Sequence, residues 1–133
     1  MTRFSSTFVV VLIFGLAFVA PAQRGMRNYN PQAEVTVKGT VEDVQQITGK
    51  RGFSGTHLTV NTGNETLAVH AGPSSYISQK GFSFAKGDTI EVLGSKVNLN
   101  GKPAILAREI TKDGRTLVLR NAQGIPEWSS GRR

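Results

Sequence analysis

Apolar and polar positions alternate most clearly over residues 86–98 (KGDTIEVLGSKVN). Ile90 and Val92 flank Glu91, the period of two of a strand with one dry and one wet face. Gly94 interrupts the alternation, and the apolar set resumes out of phase at Val97 and Leu99. A β-bulge that bends a strand round the corner of a barrel would produce that shift. Residues 34–48 predict a long first strand, with Val35, Val37 and Val41 in one phase and Val44 out of it. A second bulge is therefore expected near Glu42-Asp43. The spacing of Val41, Val44 and Ile47 also suits a helix, but the β-branched content and the preceding alternation favour a strand. Residues 56–62 and 65–71 alternate again around a Gly63-Asn64 turn, which predicts a hairpin.

Gly72-Pro73 ends the third strand. Residues 74–80 suit one or two helical turns, capped by Ser74 or Ser75, with Tyr76 and Ile77 facing the sheet. Gly81 stops the helix, and Phe82 and Phe84 lead into Gly87-Asp88. After the central strand, Asn100-Gly101 is a type I′ hairpin signal. The next strand covers 103–112, with Ala104, Leu106 and Ile110 in one phase and Arg108 among them. Asp113-Gly114 turns the chain into a last strand, 115–121. Three strands, a short helix and then further strands give the order of an OB-fold. The expected class is all-β: a five- to six-stranded Greek-key barrel with one short helix between strands 3 and 4.

The chain has 133 residues, enough for one domain behind its N-terminal segment. Arg3, an apolar run over 7–19 and Ala20-Pro21-Ala22 read as a secretory signal peptide over residues 1–22. The run is shorter than the roughly 20 residues that span a bilayer. Cleavage after Ala22 leaves a polar lead-in (23–33), with Tyr29 available to pin it. The barrel follows over 34–121. The tail (122–133) carries Trp128, which is placed to dock, and a basic end at Arg132-Arg133. A periplasmic or secreted location follows, with no membrane span after cleavage. The chain has no cysteine, which removes disulfides, thiolate chemistry, cysteine-bound metal and covalent haem.

A net charge of +7 is spread along the chain rather than blocked. Outside the cytoplasm it points to anionic envelope surfaces or to solubility more than to nucleic acid. Residues 49–55 (GKRGFSG) form a loop whose glycines and paired cations, Lys50 and Arg51, could meet an anion, although P-loop spacing is absent. The simpler reading is a solvated hairpin loop. OB barrels bind ligands on the face of strands two and three, aided by the loops after strands one and four. Phe53 is the one aromatic in those two loops, and Lys102 is the cation of the second. Strands two and three have none of the aromatics that single-strand binders stack on bases.

His57 and His70 are the two histidines. Pairing through the Gly63-Asn64 turn sets them opposite one another, on the face away from Leu58 and Val69. Two imidazoles on one face can hold a divalent metal, but no third ligand has recognisable spacing. The simpler reading is local hydrogen bonding, with His70 orienting the Gly72-Pro73 turn. No G-x-S-x-G elbow accompanies Ser74, Ser75 or Ser83, and Glu42 and Asp43 point to opposite faces of a strand. No enzyme and no cofactor are expected.

From residue 69 onward the pattern runs strand, His70-Ala71-Gly72-Pro73, Tyr76, Gly81-Phe82, then KGDTIEVLGS and GKPAILARE. It resembles small exported bacterial OB-fold proteins, and is similar to the C-terminal domain of the magnetosome MamS/MamX proteins. It is also similar, more loosely, to periplasmic proteins of the YgiW/YdeI type. The resemblance implies an OB-fold and export, and no enzymatic chemistry. The haem attachment of the MamX type does not carry over, because the chain lacks cysteine. The resulting expectation is a monomeric, non-catalytic binding or adaptor domain of the envelope, whose partner is an envelope protein or an anionic envelope component. Its candidate contacts are Lys50, Arg51, Phe53, His70, Tyr76 and Lys102. One alternative is a metal- or small-anion-binding stress protein using His57 and His70. The other is low-specificity oligonucleotide binding by the basic loops.

Overall fold

A computed structural model describes residues 29–49 and 54–129. The signal-peptide segment, most of the lead-in, Arg132-Arg133 and the loop residues Lys50, Arg51 and Phe53 lie outside the described residues. Six strands and one α-helix follow one another: β1 (Glu34–Thr48), β2 (Ser54–Asn61), β3 (Thr66–Pro73), α1 (Ser74–Gln79), β4 (Thr89–Leu99), β5 (Lys102–Lys112) and β6 (Arg115–Val118). The sheet order is β3-β2-β1-β4-β5-β6, and a parallel β3–β5 pairing closes five strands into a barrel. The far edge of β5 is shared. Residues 104–106 pair with β3, and residues 109–112 pair with β6, which lies outside the barrel. The five-stranded barrel with its helix between β3 and β4 is the expected OB-type arrangement.

The alternating apolar residues of each strand meet in the interior. Leu58 and Val60, Leu67 and Val69, Ile90 and Val92, and Ile105 are all essentially inaccessible. Ile77 of α1 closes this core from one end. The expected bulge in β1 is present: Val41 faces Val60 and Asp43 faces Thr59, so Glu42 is the extra residue and Val44 returns inward opposite Leu58. Asn100-Gly101 and Asp113-Gly114 both take the paired positive φ angles of type I′ turns.

The second bulge differs from expectation. Leu93 pairs with Glu109 and Gly94 with Ala107, so the extra residue is Arg108 on β5, not a residue of β4. The phase change along β4 has another cause: its apolar positions pass from the barrel interior to the outer face, where Ser95 accepts the Asn30 N–H. The same effect splits β5. Ile105, Ala107 and Ile110 face the core, whereas Ala104 and Leu106, expected in phase with Ile110, are buried on the opposite face. Gly94 is required where the two strands cross. A Cβ there would lie 2.2 Å from the Leu106 carbonyl oxygen and 2.8 Å from Ile105 Cγ2.

The helix start also differs. Pro73 is the N-cap and supplies no side-chain bond. Ser74 instead turns its hydroxyl to Thr56 Oγ1, at 2.8 Å, and to Gln46. This satisfies the buried Thr56 hydroxyl, which would otherwise be a costly unpaired group.

Candidate functional site

At the α1 end of the barrel the chain forms an open cleft of about 780 Å³. Its walls are the start of β2 (Ser54, Gly55), the end of β3 (Gly72, Pro73), α1 (Ser75, Tyr76, Gln79) and the C-terminal 3₁₀ turn Glu127–Ser129. Each wall has a local cause. Gly72-Pro73 breaks β3 and starts the helix, because proline fixes φ and suits a helix entry. The helix then presents Tyr76 on the cleft side and Ile77 to the core. The Tyr76 hydroxyl donates to the Val118 carbonyl at 3.0 Å, which fixes the ring.

Trp128 reaches the cleft from outside the barrel. Its six-membered ring lies against Gly72, where a Cβ would come within 2.9 Å of two ring carbons. Its ring centroid is 5.7 Å from that of Tyr76, at an interplanar angle of 59°. Tilted aromatic pairs favour this range. The Arg120 guanidinium also holds Trp128, 5.3 Å from its ring and 5.6 Å from that of Tyr29. Arg120 also donates to the Gly124 carbonyl at 2.9 Å. The β5 bulge anchors this assembly, since the Arg108 carbonyl accepts the N–H groups of Leu119 and Arg120. The Arg108 guanidinium bonds both Glu34 carboxylate oxygens, and the Tyr29 hydroxyl donates to the same carboxylate at 2.6 Å. Burial and the Glu34 carboxylate raise the Tyr29 phenol well above its ordinary pKa, so it stays a donor. Tyr29 does pin the described end of the lead-in, and Trp128 does dock.

The cleft is electrostatically modest. Glu127 and the Tyr76 phenol are the ionisable groups among its described lining residues. Burial, then the Glu127 charge, raises the Tyr76 phenol, so it is neutral at ordinary pH. Each ring already carries one cation: Arg120 over Trp128, and Lys80 over Tyr76 at 5.4 Å.

His57 and His70 lie beside the cleft but outside its lining, on the outer face of β2 and β3, with His57 Nε2 3.9 Å from where a Cβ on the lining residue Gly55 would sit. They are register partners, as the Gly63-Asn64 turn predicted. Their rings stack with centroids 4.0 Å apart and planes 21° from parallel. Neither forms a hydrogen bond with a described residue, so His70 does not orient the Gly72-Pro73 turn through one. Burial lowers both imidazole pKa values, and His57 lowers that of His70 further. Stacked rings carry their lone pairs side by side in nearly parallel planes. Convergence on one metal at about 2.0–2.1 Å would require a ring to turn. No group of three metal-ligating side chains occurs among the described residues.

The remaining candidates are scattered. Lys102 opens β5, which runs parallel to β3 with Ala104 level with Ala68. It is therefore level with the start of β3, about six residues, or roughly 20 Å, from the cleft at Gly72. Of the expected contacts, the described cleft contains Tyr76 alone. Trp128, Gly72, Ser54 and Gln79 were not singled out as site residues. The detectable signals were the chain's lone tryptophan, placed in the short tail, and the Gly-Pro break beside Tyr76.

The family model of the MamS/MamX magnetosome proteins matches residues 33–117. The chain belongs to the MamS/MamX magnetosome protein family. The matched stretch of this MamS/MamX protein contains β1 to α1, β4, β5 and the start of β6. It includes Gly72 and Tyr76 but stops short of Arg120 and Trp128, so one wall of the cleft is built by residues outside the family match. No curated protein matches the chain.

Proposed function

We propose that this MamS/MamX-family barrel is an exported, non-catalytic binding domain, and that it holds a component of the bacterial envelope at the Tyr76–Trp128 cleft. The observation that carries the reading is the cleft itself. Two aromatic rings are fixed 5.7 Å apart by their neighbours, and small hydrogen-bonding side chains line the cleft with them. Clefts of a few hundred Å³ with apolar walls and few polar groups are the usual form of a ligand site. Acid–base catalysis needs titratable groups poised near the working pH. Here the Tyr76 phenol is displaced upward, away from that range, which supports binding over chemistry. The dispersed net positive charge supports the envelope as partner, because anionic surfaces attract such a protein before it docks.

The test is co-sedimentation of residues 23–133 with washed cell-envelope material over a range of salt. The wild-type chain is expected in the pellet, with retention weakened but not abolished at high salt, and Tyr76→Ala is expected in the supernatant. A wild-type chain that stays in the supernatant at every salt concentration contradicts the reading.

A further inference from the structure

We infer that the cleft between Tyr76 and Trp128 takes an uncharged saccharide unit of an envelope glycan. The inference rests on the binding reading above and names its ligand class. Three observations converge on it.

The first is charge. The Glu127 carboxylate borders the cleft, and no lysine or arginine is among its described lining residues, so an anionic group meets no cationic partner among those residues. Arg120 and Lys80 already sit over the two rings, so an added cation meets like charge. An uncharged ligand avoids both penalties, since buried unpaired charge is costly.

The second is the hydrogen-bonding inventory. Ser54, Ser75, Gln79 and Trp128 line the cleft, and their side-chain polar groups have no hydrogen-bond partner among the described residues. The Ser129 hydroxyl donates to Pro126 and keeps its acceptor lone pairs. The lining therefore combines neutral donors and acceptors with two aromatic rings. A sugar ring has the matching form: an apolar C–H face for stacking and hydroxyls around its edge. A proline-rich peptide also fits aromatic grooves, but its backbone offers chiefly carbonyl acceptors, which would leave the acceptors of this lining unused.

The third is size and rigidity. A volume of about 780 Å³ accommodates a short oligosaccharide. The two rings that border it are held in place by contacts with Gly72, Arg120 and the Val118 carbonyl, which lowers the ordering cost of binding. The overall positive charge does not conflict with an uncharged unit, because an envelope glycan can carry its anionic groups elsewhere along the polymer.

The experiment uses Trp128 emission, since it is the chain's one tryptophan. Residues 23–133 are titrated with a β-1,4-linked N-acetylglucosamine tetrasaccharide, with maltotetraose and, separately, with a proline-rich decapeptide. A saturable change with at least one sugar is expected, unaffected by salt. By the size of aromatic stacking, Tyr76→Ala should weaken it about tenfold or more, whereas Tyr76→Phe should stay within about twofold. Gln79→Ala, on an exposed position, should weaken it about threefold without affecting folding. Saturation with the peptide and neither sugar overturns the saccharide assignment and leaves the cleft as a binding site. No change with any of the three also overturns the assignment, and envelope co-sedimentation then decides the broader reading separately.

Discussion

Replacing Gly94 by alanine adds a single methyl group at the crossing of β4 and β5. Its Cβ would lie 2.2 Å from the Leu106 carbonyl oxygen, 2.8 Å from Ile105 Cγ2 and 3.0 Å from Ala107 Cα. Two of those three atoms are backbone, so no side-chain rotation relieves the clash. A carbon and an oxygen need about 1 Å more separation than this, judged by optimal non-bonded distances. The strands must therefore part where Arg108 already interrupts the ladder. Overpacking usually costs about 1–3 kcal/mol, and rigid neighbours place this case at the upper end, about 3 kcal/mol. A domain of about 100 residues loses about 4–8 °C in Tm per kcal/mol, so a fall of about 12–24 °C is expected. Gly101→Ala is the control. Gly101 has φ +80 and no neighbour within 4 Å, so its cost is left-handed backbone strain alone. That cost is about 1 kcal/mol, or about 4–8 °C. Thermal melts of residues 23–133 followed by circular dichroism read both values. If Gly94→Ala melts no lower than Gly101→Ala, close approach is not the reason for glycine at position 94.

Three further outcomes follow from the same geometry. Arg120→Ala removes two cation–π contacts and a charged hydrogen bond, and should cost about 2–3 kcal/mol in a urea titration, with Trp128 emission shifted to the red; unchanged emission would mean that Arg120 does not hold Trp128. Both histidine pKa values are lowered from 6.5, so the unfolded chain takes up protons first as pH falls: this stability is full above about 6.5 and is lost as pH drops through the lowered folded values. Urea midpoints should decline from pH 7.5 to pH 5, less steeply in His57→Gln/His70→Gln, and an identical slope in that double variant would contradict the stacked neutral pair. Intact mass of the exported protein should correspond to a chain beginning at Gln23, and a membrane-bound chain that retains residues 1–22 would contradict signal cleavage.

Much of the barrel was legible because local and global preferences agree. The β1 bulge at Glu42 showed in the phase slip from Val41 to Val44, and the type I′ turns showed in Asn100-Gly101 and Asp113-Gly114. The β4–β5 irregularity was legible as an event but was placed on the wrong strand. A phase slip marks either an extra residue or a change of buried face, and the two look alike along one chain. The same ambiguity misplaced Leu106. The histidine register could be read from hairpin symmetry, but the stacking that directs the rings away from a shared ligand could not. The cleft was the least legible feature, because Gly72, Tyr76 and Trp128 are brought together only by closure of the barrel and by the Arg108 bulge, which receives the C-terminal segment.

The central claim is that this barrel binds at its α1 end, not across the outer face of β2 and β3. Amide and indole chemical-shift mapping of residues 23–133 with the N-acetylglucosamine tetrasaccharide tests it most directly. The account predicts saturable shifts at Gly55, Gly72, Ser75, Gln79 and the Trp128 indole, with Thr59 and Lys102 unmoved. Shifts centred on His57, Thr59 and His70, with the Trp128 indole unmoved, would contradict it.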